Sequence, residues 1–98
     1  MELLDSFIVL EGLDGAGTPT QASLLTERLD RAGHRVLATS EPTRSNIGTL
    51  IRDVLAGRVE TTPEALAMLY AADRHEHLYD PAQGIIRALE DGWVVCDR

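Results

Sequence analysis

The sequence predicts an α/β fold, a parallel sheet wrapped by helices, on three observations. Short apolar runs at 7–11, 35–39 and 93–96 alternate with longer segments of helical periodicity. The last run, Trp93-Val94-Val95-Cys96, is apolar throughout, as in a strand covered on both faces. The first run leads directly into glycines and then an amphipathic segment, the strand–loop–helix order of a crossover unit.

The elements follow in order. Phe7-Ile8-Val9-Leu10 forms the first strand and feeds a loop holding Gly12, Gly15 and Gly17. A helix then runs to Ala32, with Ala22, Leu25, Leu29 and Ala32 on one face and Gly33 as its stop. Arg35 to Thr39 is a second strand, followed by a polar loop from Ser40 to Asn46. Ile47, Leu50, Ile51, Val54 and Leu55 predict a helix with one buried stripe, ending at Gly57. Glu60 to Glu64 reads as a solvated linker. Thr62 as N-cap and Pro63 at the first helical position start a further helix, through Leu66, Leu69, Tyr70 and Asp73 to about Tyr79. Asp80-Pro81-Ala82-Gln83 reads as a capping box opening the last helix, whose apolar face is Ile85, Ile86 and Leu89. Gly92 precedes the third strand.

The glycine loop carries the chemistry. Gly12 and Gly17 stand at the G-x-x-x-x-G spacing of a Walker A loop, in which backbone N–H groups and a helix N-terminus cradle polyphosphate oxygens. This makes the predicted fold a P-loop NTPase-type sheet, with Gly12, Leu13, Asp14, Gly15, Ala16 and Gly17 around the donor phosphates. The next two positions should be Lys and Ser/Thr, but they are Thr18 and Pro19. All nine Lys+Arg residues are arginines, so any cation acting on a phosphate here is a guanidinium. Thr18 and Thr20 are the candidate hydroxyls for Mg²⁺. The plain alternative is a glycine turn that merely joins strand to helix.

Composition narrows the classes. Ninety-eight residues with 44% hydrophobic content suit one small domain. A net charge of −7 argues against nucleic-acid or membrane surfaces, while leaving room for one nucleotide in a local arginine cluster. The single Cys96 suits a buried small hydrophobe in a reducing compartment, and no leader or long apolar run is visible, so the chain reads as cytoplasmic. His75 and His77, two apart on a helix, point to different faces and argue against a paired metal site; His34 falls in a turn. In open α/β sheets ligands sit outside the carboxyl ends of the strands. Asp97 must therefore reach the Gly12–Gly17 loop, which predicts strand 93–96 beside strand 7–11, with 36–39 outside it. A domain ending there reads as the N-terminal portion of something longer.

Four segments resemble the thymidylate kinase family: FIVLEGLDGAG at 7–17 with Thr20-Gln21, Glu41-Pro42 leading into IGTLIR at 47–52, LYAADR at 69–74, and VVCDR at 94–98. The resemblance covers nearly the whole chain and about the first half of a family member. It implies phosphoryl transfer from ATP to dTMP with Mg²⁺, these nucleotides being the partners, and is compatible with a homodimer of the full-length protein. By the same resemblance, Asp14 faces the dTMP sugar, Tyr70 stacks on thymine and Arg74 hydrogen-bonds its carbonyl. Asp97 lies near Mg²⁺ and the phosphates, Arg98 clamps the acceptor phosphate, and Arg44 is a further phosphate contact. Asp14, Asp97 and Arg98 are thus the implied catalytic residues. Tyr70 and Arg74 stand at i, i+4, one helical turn apart, which suits a flat base with carbonyl edges. The sequence departs from the family at Thr18, Pro19 and Gly15, where one branch places a catalytic arginine. That difference implies a lid arginine beyond residue 98, without which the 98 residues alone should not turn over substrate. A deoxynucleoside kinase of similar fold and a degenerate nucleotide-binding protein are the competing readings.

Overall fold

The computed structural model describes residues 6–12 and 17–98. Its strands are β1 (Phe7–Leu10), β2 (Val36–Ser40) and β3 (Trp93–Asp97), and its helices are α1 (Thr18–Arg31), α2 (Asn46–Leu55), α3 (Pro63–Tyr79) and α4 (Ile85–Leu89). The sheet is parallel throughout, in the order β1-β3-β2, as the position of Asp97 predicts. β3 pairs on both sides, so Val94, Val95 and Cys96 are fully buried, whereas among the described residues β1 and β2 each pair only with β3, and both are mostly half-buried. With Ile51 and Ile85 they form the apolar core of the described residues.

α1 packs on all three strands, α4 packs on β2 and β3, and α3 packs between α2 and α4. Gly17 ends the loop in the left-handed region, φ 82°, which glycine adopts without a Cβ penalty, and serves as N-cap of α1. Pro19 sits in the first turn, as predicted, and Gly33, φ 91°, follows the helix end. Thr62 caps α3 by accepting from the Ala65 N–H at 3.1 Å.

Two expectations need correction. Asp80 does not open the last helix. Its Oδ1 accepts from the N–H groups of Gln83 and Ala82, each at 2.9 Å, closing a turn over 81–83, and those bonds hold its carboxyl below the usual range. α4 starts only at Ile85, after Gly84. A Cβ on Gly84 would lie 2.5 Å from the Asp80 carbonyl oxygen, so the close turn requires glycine and delays the helix. The buried stripe of α2 is also narrower than its apolar spacing suggests. Gly48 and Ile51 are buried, while Leu50 and Leu55 are 38% and 60% exposed. Periodicity counts apolar side chains and cannot see that a glycine faces the neighbouring backbone.

Candidate functional site

Parallel pairing in this register brings the carboxyl ends of all three strands level, with Leu10 and Ser40 both opposite Asp97. Two backbone bonds extend the ladders outward: Arg98 N–H donates to the Leu10 carbonyl at 2.9 Å, and Glu41 N–H donates to the Asp97 carbonyl at 3.0 Å. Glu11, Glu41 and Arg98 therefore meet at the sheet end from which the glycine loop departs.

Glu41 is the centre of that meeting, its side chain only 8% exposed. Arg74 of α3 directs Nε and Nη2 at Glu41 Oε1, at 3.1 and 3.0 Å. Arg98 Nε lies 3.3 Å from the same oxygen as a charge contact without hydrogen-bond geometry, while its Nη1 donates to Glu11 at 3.1 Å. The other oxygen, Oε2, is 2.8 Å from His77 Nδ1, and His77 Nε2 is 2.6 Å from the Thr39 hydroxyl. Burial alone would push the Glu41 carboxyl up. The hydrogen bonds from His77 and Arg74, with the fields of Arg74 and Arg98, outweigh burial and hold it below its ordinary value. A depressed carboxylate contributes stability that is complete above the ordinary value of 4.5 and is lost as pH falls through the lower folded value. Thermal melts should accordingly lose stability on acidification below about pH 4.5, and Glu41→Gln should flatten that acid limb. An unaltered acid limb in the variant would remove Glu41 from the account.

Glu41, His77 and Cys96 present ligand-type atoms within 4.8 Å of one another. Both imidazole nitrogens are already engaged, however, and two guanidiniums face the carboxylate, so the group is organised as an ion-pair hub. Burial, reinforced by the Glu41 charge, pushes the Cys96 thiol up to about 11, which keeps it protonated and inert.

A second polar residue of α3 organises the adjoining loop. Asp73, 1% exposed, accepts from the Thr43 N–H at 2.9 Å, the Thr43 hydroxyl at 2.6 Å and the Ser45 hydroxyl at 3.4 Å. Ser45 in turn caps α2. Arg52 donates to the carbonyls of Thr43, at 2.6 Å, and of Pro42, which follows a cis peptide bond. Loop 41–45 is thus pinned from α2 and α3, with Arg44 exposed on it.

The predicted residues distribute as follows. Arg74 and Arg98 converge on Glu41, and Asp97, Arg44 and Pro19 line one open cleft of about 1200 Å³ that runs along β2 between α1 and α4. Tyr70, 41% exposed, and Arg74 stand one turn apart but do not line that cleft. Thr18 and Thr20 lie in the first turn of α1, and Gly12 and Gly17 flank the loop. Leu13, Asp14, Gly15 and Ala16 lie outside the described residues. Sequence reasoning missed Glu41, His77, Thr39 and Asp73 as organisers. One signal was available: the apolar positions Leu66 and Leu69, half-buried in the fold, continue at helical spacing to the buried Asp73 and His77.

The family model described as thymidylate kinase matches residues 10–98. The chain belongs to the thymidylate kinase family. It is 52% identical over 99 aligned residues to a putative thymidylate kinase of Treponema pallidum, covering all of this chain and 47% of that protein. It is 47% identical to a probable thymidylate kinase of Pyrococcus horikoshii, covering 94% of this chain and 46% of that one. Among solved structures, the thymidylate kinase of Ehrlichia chaffeensis superposes with a TM-score of 0.75 at 30% identity, over 94% of this chain and 49% of that one. That of Candida albicans gives 0.77 at 28% identity, over 95% and 39%. The chain spans about half the length of the curated relatives it matches. Three parallel strands with their helices are thus part of the P-loop fold of the thymidylate kinases. No helix among the described residues is long and apolar enough to cross a membrane.

Proposed function

We propose that these residues form the acceptor side and the phosphate-loop frame of an enzyme that transfers the γ-phosphoryl group of ATP to dTMP, giving dTDP. The observation that carries this reading is the convergence of Arg74 and Arg98 on one buried carboxylate at the carboxyl end of the sheet. Phosphoryl transfer asks a protein mainly to align two anions and to offset charge as it spreads in the transition state. A guanidinium held by a fixed carboxylate is already oriented for that task. Arg98 Nη1, now bound to the exposed Glu11, is the edge a doubly charged acceptor phosphate would take in exchange. Burial works against the Arg98 charge, but Glu11 and Glu41 outweigh it and raise its pKa, so the residue meets a phosphate fully protonated.

The donor side fits an anion as well. Among the described residues, α1 begins with no side-chain cap and no acidic residue in its first turn, which suits the N–H groups of Thr18 and Thr20 to an anionic ligand. Asp97, with Thr18 or Thr20, would supply oxygen ligands of the kind Mg²⁺ takes, and the ion would neutralise donor phosphate charge when bound. Tyr70 and Arg74 recognise the thymine, Arg44 adds a phosphate contact, and Asp14 faces the sugar. A deoxynucleoside acceptor would leave Arg98 with no phosphate to bind.

The full-length enzyme is expected to phosphorylate dTMP with ATP and Mg²⁺. Arg74→Ala should raise the KM for dTMP, by about 1–3 kcal/mol in equivalent binding free energy, and leave that for ATP nearly unchanged. Equal damage to both substrates would assign Arg74 to folding through Glu41. Absence of dTMP phosphorylation by the unsubstituted enzyme would overturn the proposed activity.

A further inference from the structure

We propose that His77 is a positioning residue for the acceptor site, fixing the Glu41 carboxylate so that its free oxygen is presented to Arg74 and Arg98. The inference rests on the acceptor-site reading above and adds to it a residue that acts through Glu41.

The geometry is a directed chain. An ionised carboxylate only accepts, so the 2.8 Å contact between His77 Nδ1 and Glu41 Oε2 requires a proton on Nδ1. Nε2 then faces the Thr39 hydroxyl at 2.6 Å, which can donate or accept and so satisfies the ring in either protonation state. Thr39 belongs to β2, paired directly with Cys96 of the central strand, so the ring is anchored to the sheet. With Oε2 occupied, Oε1 is the oxygen left for both guanidiniums, and it is the one they share. A carboxylate free to rotate would exchange its oxygens and let Arg74 and Arg98 drift apart. His77 is 6% exposed and Glu41 8%, so water does not compete strongly for either.

The remaining polar groups around the ring do not replace this link. Asp73, one turn earlier on α3, is engaged by Thr43 and Ser45, and Cys96 is a protonated thiol. Arg74 and Arg98 take the opposite oxygen. On the α4 side, Asp80 bonds backbone N–H groups of its own turn.

The test uses two substitutions of similar size in the full-length kinase. The amide nitrogen of His77→Asn falls near Nδ1 and can still donate to Glu41; that of His77→Gln falls near Nε2 and reaches Thr39 instead. Steady-state kinetics with dTMP varied at saturating ATP, and the reverse, give a KM for each substrate. His77→Gln is expected to raise the KM for dTMP about tenfold, the fold-change for one lost hydrogen bond to a charged group, with the KM for ATP within about twofold. His77→Asn should stay within about threefold of the parent for both substrates. The His77–Glu41 link also contributes stability, so a lower midpoint is expected for His77→Gln. The kinetics are read well below the midpoints of both variants, where each is folded and the split cannot come from unfolded enzyme. Equal dTMP constants in the two variants, or parallel changes in both substrates, would overturn the assignment. An inactive parent enzyme would instead overturn the functional reading beneath it.

Discussion

Gly48→Ala is expected to destabilise the protein by about 3 kcal/mol or more, at the upper end of overpacking effects. A Cβ at Gly48 would lie 1.9 Å from the Thr43 carbonyl oxygen, 2.5 Å from its carbon and 2.7 Å from its nitrogen. All three are backbone atoms, so no side-chain rotation relieves the clash. The loop must shift, and that loop is fastened by Asp73, Ser45 and Arg52. Whatever moves Thr43 also moves Pro42 and Glu41, so a raised KM for dTMP should accompany the loss of stability. Denaturant melts of parent and variant check the first effect, and kinetics in whatever folded fraction survives check the second. A variant with an unchanged midpoint would show that the approach of α2 to loop 41–45 is looser than the structure has it.

The double substitution Thr18→Lys with Pro19→Thr should strengthen ATP binding by about 1–3 kcal/mol if the new ammonium and hydroxyl reach the phosphates. α1 starts at Thr18, with Pro19 in its first turn and Gly17 left-handed before it. Pro19 withdraws one N–H from the set a polyphosphate would use, and no lysine anywhere in the chain replaces the missing cation. If the full-length protein is an active kinase, its backbone loop and a distal arginine must do the work of the missing lysine, and the donor should bind weakly and with dependence on Mg²⁺. Losing one preorganised donor to a transferring group typically costs about a hundred- to a thousand-fold in rate. Calorimetry with ATP, alongside a dTMP phosphorylation assay on both versions, separates the cases. Tighter ATP binding without turnover in either version would mark a degenerate nucleotide-binding protein. Robust parental turnover destroyed by the substitution would show Thr18 and Pro19 to be parts of a working variant loop.

Much of the fold could be read from the sequence, because each strand and most helix boundaries carry local signals. The order β1-β3-β2 followed from a functional argument, that Asp97 must stand beside the glycine loop, rather than from pattern alone. The false start at Asp80 came from a motif whose side-chain bonds are real but close a turn, since Gly84 intervenes. The hub around Glu41 was illegible for a different reason. Its contacts join residues 33 to 57 positions apart, with Glu11 and Arg98 separated by 87, and no periodicity records such pairs. α3 concealed it further, because its buried stripe turns polar toward the site, and polarity on a helix ordinarily reads as a solvent face. Tyr70 and Arg74, on the exposed side, drew the reading instead.

The placement of β3 between β1 and β2 has a consequence for how the molecule is made. Among the described residues, β1 and β2 never touch each other in the ladder, and each finds its hydrogen-bonding partner in residues 93–97. A chain emerging from the ribosome therefore carries β1 and β2 through synthesis of α2, α3 and α4 before the strand that joins them is made. Non-local pairing of this kind pays its loop-closure entropy before any contact rewards it, and open strand edges invite association with other chains. Local helices can form early, but Glu41 meets Arg98 only after the last described strand has inserted. The cluster around Glu41 proposed as the acceptor site is thus assembled by the same event that joins the three strands, so chains halted before that strand would hold neither.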